Sequence, residues 1–305
     1  MAANLLEGKP VSDAVLADVA LRVAALKDKG IVPGLGTILV GDNPASAGYV
    51  AKKHELCARY GIRSFHKAIA ASEGQRALLA AVDTFNDEPE LDAFLIQNPV
   101  PRGFDFNEAL IRLSPKKDAD GLHPVNLGKL VLQEPGPRPC TPSGILAMLS
   151  HYEIPVEGRE VVIVGRGPTL GRPLALMLSL KEHGANAAVT VVHTGVPNIA
   201  DYTRRADILI CAIGVPSFIT PDMVRPGAVV VSGGISWEGR RLLPDVDESV
   251  GSVAGWITAR LGGVGPTTVA LLLRNAVECA ERRSSQKQQV NAQQAKSSVR
   301  GNPRR

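Results

Sequence analysis

Aromatic residues are scarce in this sequence: Phe, Trp and Tyr make up only 4% of its 305 residues. No apolar run approaches the ~20 residues of a membrane-spanning helix, and no segment repeats. The four cysteines, Cys57, Cys140, Cys211 and Cys279, stand far apart, with neither a metal-ligand spacing nor the pattern of a disulfide framework. Near the amino end, Glu7 and Lys9 occupy positions where a secretory signal would need an apolar stretch. These absences predict a cytoplasmic protein in a reducing compartment, with no membrane partner and no bound metal.

Thirty glycines and 22 prolines are scattered between apolar runs in a chain that is 45% hydrophobic. That composition suits a globular α/β protein rich in tight turns, and the length suggests about two domains. The net charge is +4, but seven Lys and Arg residues and no acids lie between Arg282 and Arg305, so the rest of the chain is slightly acidic, at −3. A Gln-, Ser- and Lys-rich end of this kind is expected to be a disordered basic tail, and no nucleic-acid partner is expected.

Val11, Val15, Val19, Val23 and Leu26 recur at helical spacing ahead of Gly30, which predicts a first amphipathic helix with a glycine stop. Strands are expected at 37–40, 64–69 and 93–97, with helices through 49–60 and 78–85 between them. Such alternation implies a largely parallel sheet with helices on its faces. The proline-rich stretch from Glu134 to Pro142 interrupts the pattern. A helix over 143–152 then leads into a second run with strands at 160–164, 188–193, 207–212 and 228–231. An apolar helix at 268–280 is expected to return to the first domain.

The buried-looking strand Val161-Val-Ile-Val164 is followed by Gly165-Arg166-Gly167-Pro-Thr-Leu-Gly171, then Arg172-Pro173 and an apolar helix. Strand, glycine turn and helix come in the order a pyrophosphate site requires, because small residues let the backbone approach and a helix amino terminus offers free N–H groups. The glycine spacing is one residue longer than the common G-x-G-x-x-G fingerprint, so a purely structural turn also fits. In NAD sites an acid about 20 residues further on holds the ribose 2′-hydroxyl. Here the second strand ends in His193-Thr194, with no acid, and Arg166 stands in the turn where a guanidinium can pair with a 2′-phosphate. Both features favour NADP.

Tyr49 and Lys53 lie four apart on a predicted helix and share a face, while Lys52 points about 100° away. Spacing alone fits two amphipathic residues on a wet surface as well as a catalytic pair. Gln97 ends a buried strand in Phe94-Leu-Ile-Gln-Asn-Pro-Val-Pro101, a place where parallel sheets put functional side chains.

Six segments occur in order: Gly41 through Lys53, Gln97 through Pro101, Pro115 through Pro124, Pro139 through Gly144, the turn from Gly165 to Pro173, and Gly262-Gly263-Val-Gly-Pro266. Together they make the chain resemble the bifunctional methylenetetrahydrofolate dehydrogenase/methenyltetrahydrofolate cyclohydrolase family over about residues 5 to 280. The resemblance implies an α/β protein of two domains, with the active site in the cleft between them. The N-terminal catalytic domain would span 1–142, completed by the helix at 268–281. The Rossmann-type NADP-binding domain would span 143–267, leaving 282–305 as the tail.

It further implies a catalytic lysine at Lys53, a stacking tyrosine at Tyr49, a lysine-tuning glutamine at Gln97 and a pterin-binding aspartate at Asp120, with Asp118 shaping the loop. Cofactor contacts are implied at Gly165, Arg166, Gly167, Gly171, Arg172, Pro173, His193, Thr194, Ala212, Gly214 and Ile235. Folate contacts are implied at Tyr49, Asp120, Gly262, Gly263 and Pro266. The partners implied are tetrahydrofolate one-carbon substrates and a second copy of the chain, as a homodimer through the second domain. A relative that keeps one of the two activities, and a non-catalytic NADP-binding protein, are the alternative readings. Departures from the family pattern fall at Asn98, Ser143, Gly167, Ser232 and Ala259 to Leu261, where two prolines are usual. With those prolines gone, the last loop is expected to be more mobile.

Overall fold

The computed structural model describes residues 2–238 and 241–300, with side chains at all of these except 235, 237, 238, 241 and 287–300. From the amino end the elements are β1 (Asn4–Leu6) and α1 (Gly8–Lys27), then β2 (Gly34–Val40), α2 (Pro44–Tyr60), β3 (Arg63–Ile69), α3 (Gly74–Asp87), β4 (Ala93–Ile96) and α4 (Phe106–Arg112). There follow α5 (Pro124–Val131), α6 (Cys140–His151), β5 (Glu160–Val164), α7 (Gly171–Ser179), β6 (Ala188–Val192), α8 (Ala200–Thr203), β7 (Ile208–Cys211) and β8 (Val229–Ser232). A hairpin of β9 (Ile235–Glu238) and β10 (Arg241–Pro244), then β11 (Trp256–Thr258) and α9 (Val264–Arg300), complete the chain.

Two compact units result: a first of residues 17–123 and 273–305, and a second of 1–16 and 124–272. Both are α/β with parallel main sheets, as the alternating pattern implies. The division differs from the expected boundary after 142. Ile145, Met148 and Leu149 of α6 are buried against Val161, Ile163, Ile208 and Val231, and Leu130 of α5 packs with Met177 and Leu180. Both helices therefore belong with the second unit. The first residues do too, because β1 pairs in parallel with β11, Leu6 opposite Thr258.

In the first unit the sheet order is β3-β2-β4. Ile38, Val40, Ile69, Phe94 and Ile96 bury one face of it against Leu78, Val82 and Phe85 of α3. Helix α2 starts at Asn43, whose Oδ1 accepts the N–H groups of Ala45 and Ser46 at 3.0 and 3.1 Å, a side-chain cap on otherwise orphaned donors. Its buried positions include Val50, Lys53 and Cys57, spaced so that all three share a face. The same periodicity that puts Val50 and Cys57 in the core carries Lys53 inward.

The carboxyl end of α9 corrects one expectation. Residues 282–300, expected to be disordered, continue the helix, and 301–305 lie outside the described residues. Between Thr267 and Arg300 there is neither Gly nor Pro, and Ala, Gln, Lys and Arg carry little helix penalty. Arg283 is docked: its Nε and second amino group donate to the Asp92 carboxylate at 2.5 and 3.1 Å, and it also donates to the Pro89 carbonyl at 3.1 Å. The Asp92 side chain is fully buried and also accepts the Gly34 N–H at 2.9 Å. Breaking such a pair strands a buried carboxylate. We therefore expect Arg283→Ala to cost about 3 kcal/mol in denaturant unfolding. Removing 287–305 should change neither melting temperature nor activity; an equal loss from both changes would mean that the end of α9 docks as well.

In the second unit six parallel strands lie in the order β1-β11-β8-β7-β5-β6. Alternate residues of β5, β7 and β8 feed two cores, Val161, Ile163, Ile208 and Ile210 on one face and Val162, Val164, Leu209 and Val230 on the other. A strand buried on both sides reads as a continuous apolar run, which is why these were legible. From β5 the chain goes outward to β6 and then returns to β7 on the other side. The crevice at the carboxyl ends of β5 and β7 is thus a topological switch point.

Candidate active site

Lys53 is 8% exposed, and its Nζ donates to Gln97 Oε1 at 2.9 Å. Gln97 stands just past β4 and is itself oriented, since its Nε2 donates to the Asn98 carbonyl at 2.9 Å. The half-buried Asp120 feels Lys53 electrostatically. Burial pushes the Asp120 carboxyl up to about 6, Lys53 pulls it down, and Asp118 adds a further upward push. Asp118 is buried at 1% exposure and accepts the N–H groups of Gly121 and His123 at 2.9 and 2.8 Å, so it shapes the turn that presents Asp120. Tyr49 is half-buried one helical turn before Lys53. The lysine and the glutamine that the resemblance singles out are thus in contact, with the lysine buried. By contrast, Lys52 is exposed and pairs with Glu55 at 2.9 Å.

A polar cluster beside Lys53 was not anticipated. Thr37 Oγ1 lies 3.1 Å from His54 Nε2 and 2.9 Å from His66 Nδ1, and His54 Nδ1 contacts Ser64 Oγ. Burial, then His66, then Lys53 hold His54 below its ordinary pKa. The parallel register that sets Thr37 opposite His66 creates this cluster, and no local spacing announces it.

In the second unit the turn after β5 leaves no room for a side chain at Gly165 or at Gly171. Gly165 has φ 130°, and a Cβ on it would fall 2.3 Å from the Ala212 carbonyl oxygen, while one on Gly171 would fall 2.3 Å from the Gly165 carbonyl oxygen. No side chain caps the start of α7; the Arg172 N–H donates to the Gly167 carbonyl at 3.1 Å, and Pro173 carries no N–H. Arg166 and Arg172 are exposed, Gly167 is half-buried and Pro173 is buried. His193 follows β6 half-buried and accepts the Gly195 N–H through Nδ1 at 3.1 Å; Thr194 is exposed. Ala212 and Gly214 follow β7 across the crevice. Ile235 opens β9, and its side chain lies outside the described residues. A glycine turn running from a strand into a helix amino terminus, with two exposed guanidiniums beside it, fits a phosphorylated dinucleotide.

Gly262 and Gly263 lie in the loop before α9, and Pro266 is in that helix's first turn. The loop has several tethers. Ala259 N–H donates to the Leu6 carbonyl at 3.1 Å, Gly8 N–H donates to the Gly262 carbonyl at 2.7 Å, and Arg260 pairs with Glu248 at 2.9 Å. Among the described residues no group of three or more His, Cys, Asp or Glu side chains is arranged to hold a metal ion.

Residues 6–120 match the family described as tetrahydrofolate dehydrogenase/cyclohydrolase, catalytic domain, and residues 139–284 match its NAD(P)-binding domain. The chain is 69% identical over 284 residues, covering 93% of itself and 98% of the relative, to the bifunctional protein FolD of Syntrophotalea carbinolica. Among solved structures it is similar to the bifunctional enzyme FolD of Campylobacter jejuni, at 39% identity and TM-score 0.87, covering 92% of this chain and 100% of that one. It is likewise similar to the methylenetetrahydrofolate dehydrogenase-cyclohydrolase of Trypanosoma brucei complexed with NADP cofactor and inhibitor. There the identity is 34%, the TM-score 0.87, and coverage 93% of this chain and 99% of that one.

Proposed function

Because the chain belongs to the tetrahydrofolate dehydrogenase/cyclohydrolase family, we propose that Lys53, Tyr49, Gln97 and Asp120 act on the folate while the turn from Gly165 to Pro173 holds the cofactor. The enzyme oxidises 5,10-methylenetetrahydrofolate to the methenyl form with NADP and hydrolyses that to 10-formyltetrahydrofolate. Bound NADP supplies the acceptor for the hydride that leaves the bridging carbon.

The remaining chemistry belongs to side chains. Asp120 accepts a pair of N–H bonds from the amino-pyrimidine edge of the pterin, and Tyr49 stacks on the planar ring. In the hydrolytic step water adds to the methenyl carbon, Lys53 takes the proton the water loses, and a proton returns to N5 as the carbon–N5 bond breaks. One proton is released overall. Gln97 keeps the Lys53 amine from swinging away. The contact that most supports this division of labour is the 2.9 Å bond between the buried Lys53 and Gln97. Following the absorbance of NADPH and of the methenyl compound in one assay tests it; a product stalled at the methenyl stage would leave a dehydrogenase alone.

Arg166 is assigned to the 2′-phosphate, and Gly165, Gly167, Gly171, Arg172, Pro173, His193, Thr194, Ala212, Gly214 and Ile235 to the rest of the dinucleotide. Gly262, Gly263 and Pro266 are assigned to the folate. A charged hydrogen bond is worth about 1.5 to 3 kcal/mol. Arg166→Ala should therefore raise the NADP KM roughly 10- to 100-fold and leave the NAD KM where it was. An unmoved NADP KM would remove Arg166 from the site.

The same reading places the enzyme in the cytoplasm, consistent with four buried cysteines that form no disulfide. It also makes the enzyme a homodimer through the second unit. There β6 is an outer strand without charges and Val191 is 39% exposed, an edge that a second copy would cover.

A further inference from the structure

Beneath the loop that follows β7 lies a carboxylate to which the roles above give no task. Asp245, one residue past β10, is fully buried. Its Oδ2 accepts the N–H groups of Ile213 and Gly214 at 2.8 and 3.0 Å, and its Oδ1 is buried with no donor in hydrogen-bonding geometry among the described residues. The Cys211 thiol is nearby, pushed above its ordinary range by burial first and by this carboxylate second. On the far side Asp245 is wedged against the backbone of Gly234, where a Cβ would fall 1.9 Å from Oδ2. Two N–H groups on one carboxylate make a strong, directional anchor. Keeping a charge out of water is costly, so an acid at this position has to serve a purpose.

That purpose can be read from what the anchor holds. The Ile213–Gly214 segment turns left-handed at Gly214, with φ 70°, and the Gly214 carbonyl accepts Ser236 Oγ at 2.7 Å from the other side. Gly233 and Gly234 in turn donate to the Cys211 carbonyl at 2.8 and 3.0 Å. One residue upstream, the Ala212 carbonyl lies so close to Gly165 that no Cβ fits between them. The carboxylate is therefore the fixed point from which the 212–214 backbone is set against the phosphate turn, at the switch point of the sheet.

We propose that Asp245 is a positioning residue for the dinucleotide, locking the Ala212–Gly214 segment across the crevice from Gly165 so that NADP meets a preformed wall. This rests on the reading that these two segments hold NADP. The role separates the two activities, because hydrolysis of the methenyl compound involves no hydride acceptor, whereas the dehydrogenase must fill this crevice.

The test is a comparison of Asp245→Ala, Asp245→Asn, Ser236→Ala and Arg166→Ala, each assayed for the NADP KM of the dehydrogenase and for cyclohydrolase turnover. Asp245→Ala should raise the NADP KM about tenfold, with cyclohydrolase turnover within about twofold of the parent. The Asn amide oxygen still accepts both N–H groups, so Asp245→Asn should recover most of the loss. If Arg166→Ala raises the NADP KM and Asp245→Ala does not, the positioning role is wrong and the site stands. If neither moves it, the cofactor site itself is misassigned and the proposal falls with it. Should Asp245→Ala not fold, Ser236→Ala decides: a NADP KM raised about threefold with hydrolysis intact supports the proposal, and parental kinetics overturn it. Equal loss of both activities in Asp245→Asn would show a purely structural carboxylate and also overturn it.

Discussion

Lys53→Met is expected to lower cyclohydrolase turnover by roughly 10² to 10⁴-fold, the usual cost of removing a positioned acid/base group. Methionine is close to lysine in length and keeps the apolar stem among the neighbours of Val50, Leu56 and Cys57, all buried on the same helix. It removes a polar head that is only 8% exposed, so the melting temperature should not fall. Gln97, which loses its 2.9 Å partner, is half-buried and can turn to water. Hydride departure needs no proton transfer, so the dehydrogenase rate should fall far less than hydrolysis. Lys52→Met is the matched control, since it breaks only a surface pair with Glu55 worth about 0.3 to 0.5 kcal/mol. Full hydrolysis by the Lys53 variant would end the case for its role.

Asp120→Asn should lower kcat/KM for the folate by about 10²-fold, because an amide can accept only through its oxygen and loses the charge that strengthens both bonds. The pH profile adds a sharper readout. With its carboxyl pushed up to about 6 in the free enzyme, Asp120 loses its charge as the pH falls through 6. The acid limb of the parent kcat/KM should lie there and should disappear in the variant. Stability moves the opposite way. A carboxyl whose pKa is higher folded than unfolded binds more protons in the native state, so the fold loses stability as the pH rises from about 4 to about 6. At pH 8 that penalty is complete, and Asp120→Asn should melt higher than the parent, with the advantage shrinking toward pH 5. A variant that melts lower at pH 8 would contradict a carboxylate held charged against its surroundings for the sake of substrate.

The two unit boundaries and the fate of the tail show where local reading ends. Val161 through Val164 and the glycine turn after them are local patterns: a strand buried on both faces must be apolar throughout, and a turn crowded by Ala212 must be glycine. The inward face of α2 is local as well, because helical spacing alone ties Lys53 to Val50 and Cys57. The pairing of β1 with β11 joins Leu6 to Thr258 across some 250 residues, and nothing in either three-residue strand marks the other. That pairing puts the first residues in the second unit. Helix α9 was expected to end near 281 because a polar segment buries little. Its continuation to Arg300 follows from helix-compatible composition beyond an Arg283 that only the folded chain brings to Asp92.

By itself, then, the sequence determined the α/β class, the glycine turn with Arg166 beside it, and the shared face of Val50, Lys53 and Cys57, each within one strand, one helix or one turn, where a few neighbours dictate conformation. Tertiary structure decided the rest: that Thr37 meets both His54 and His66, and that Asp245 lies beneath the 212–214 backbone. These contacts depend on strand register and on segments tens of residues apart, and chain spacing carries no record of either. The burial that pushes Asp120 up to about 6 has the same origin, since a carboxyl's neighbours exist only once the chain has closed around it.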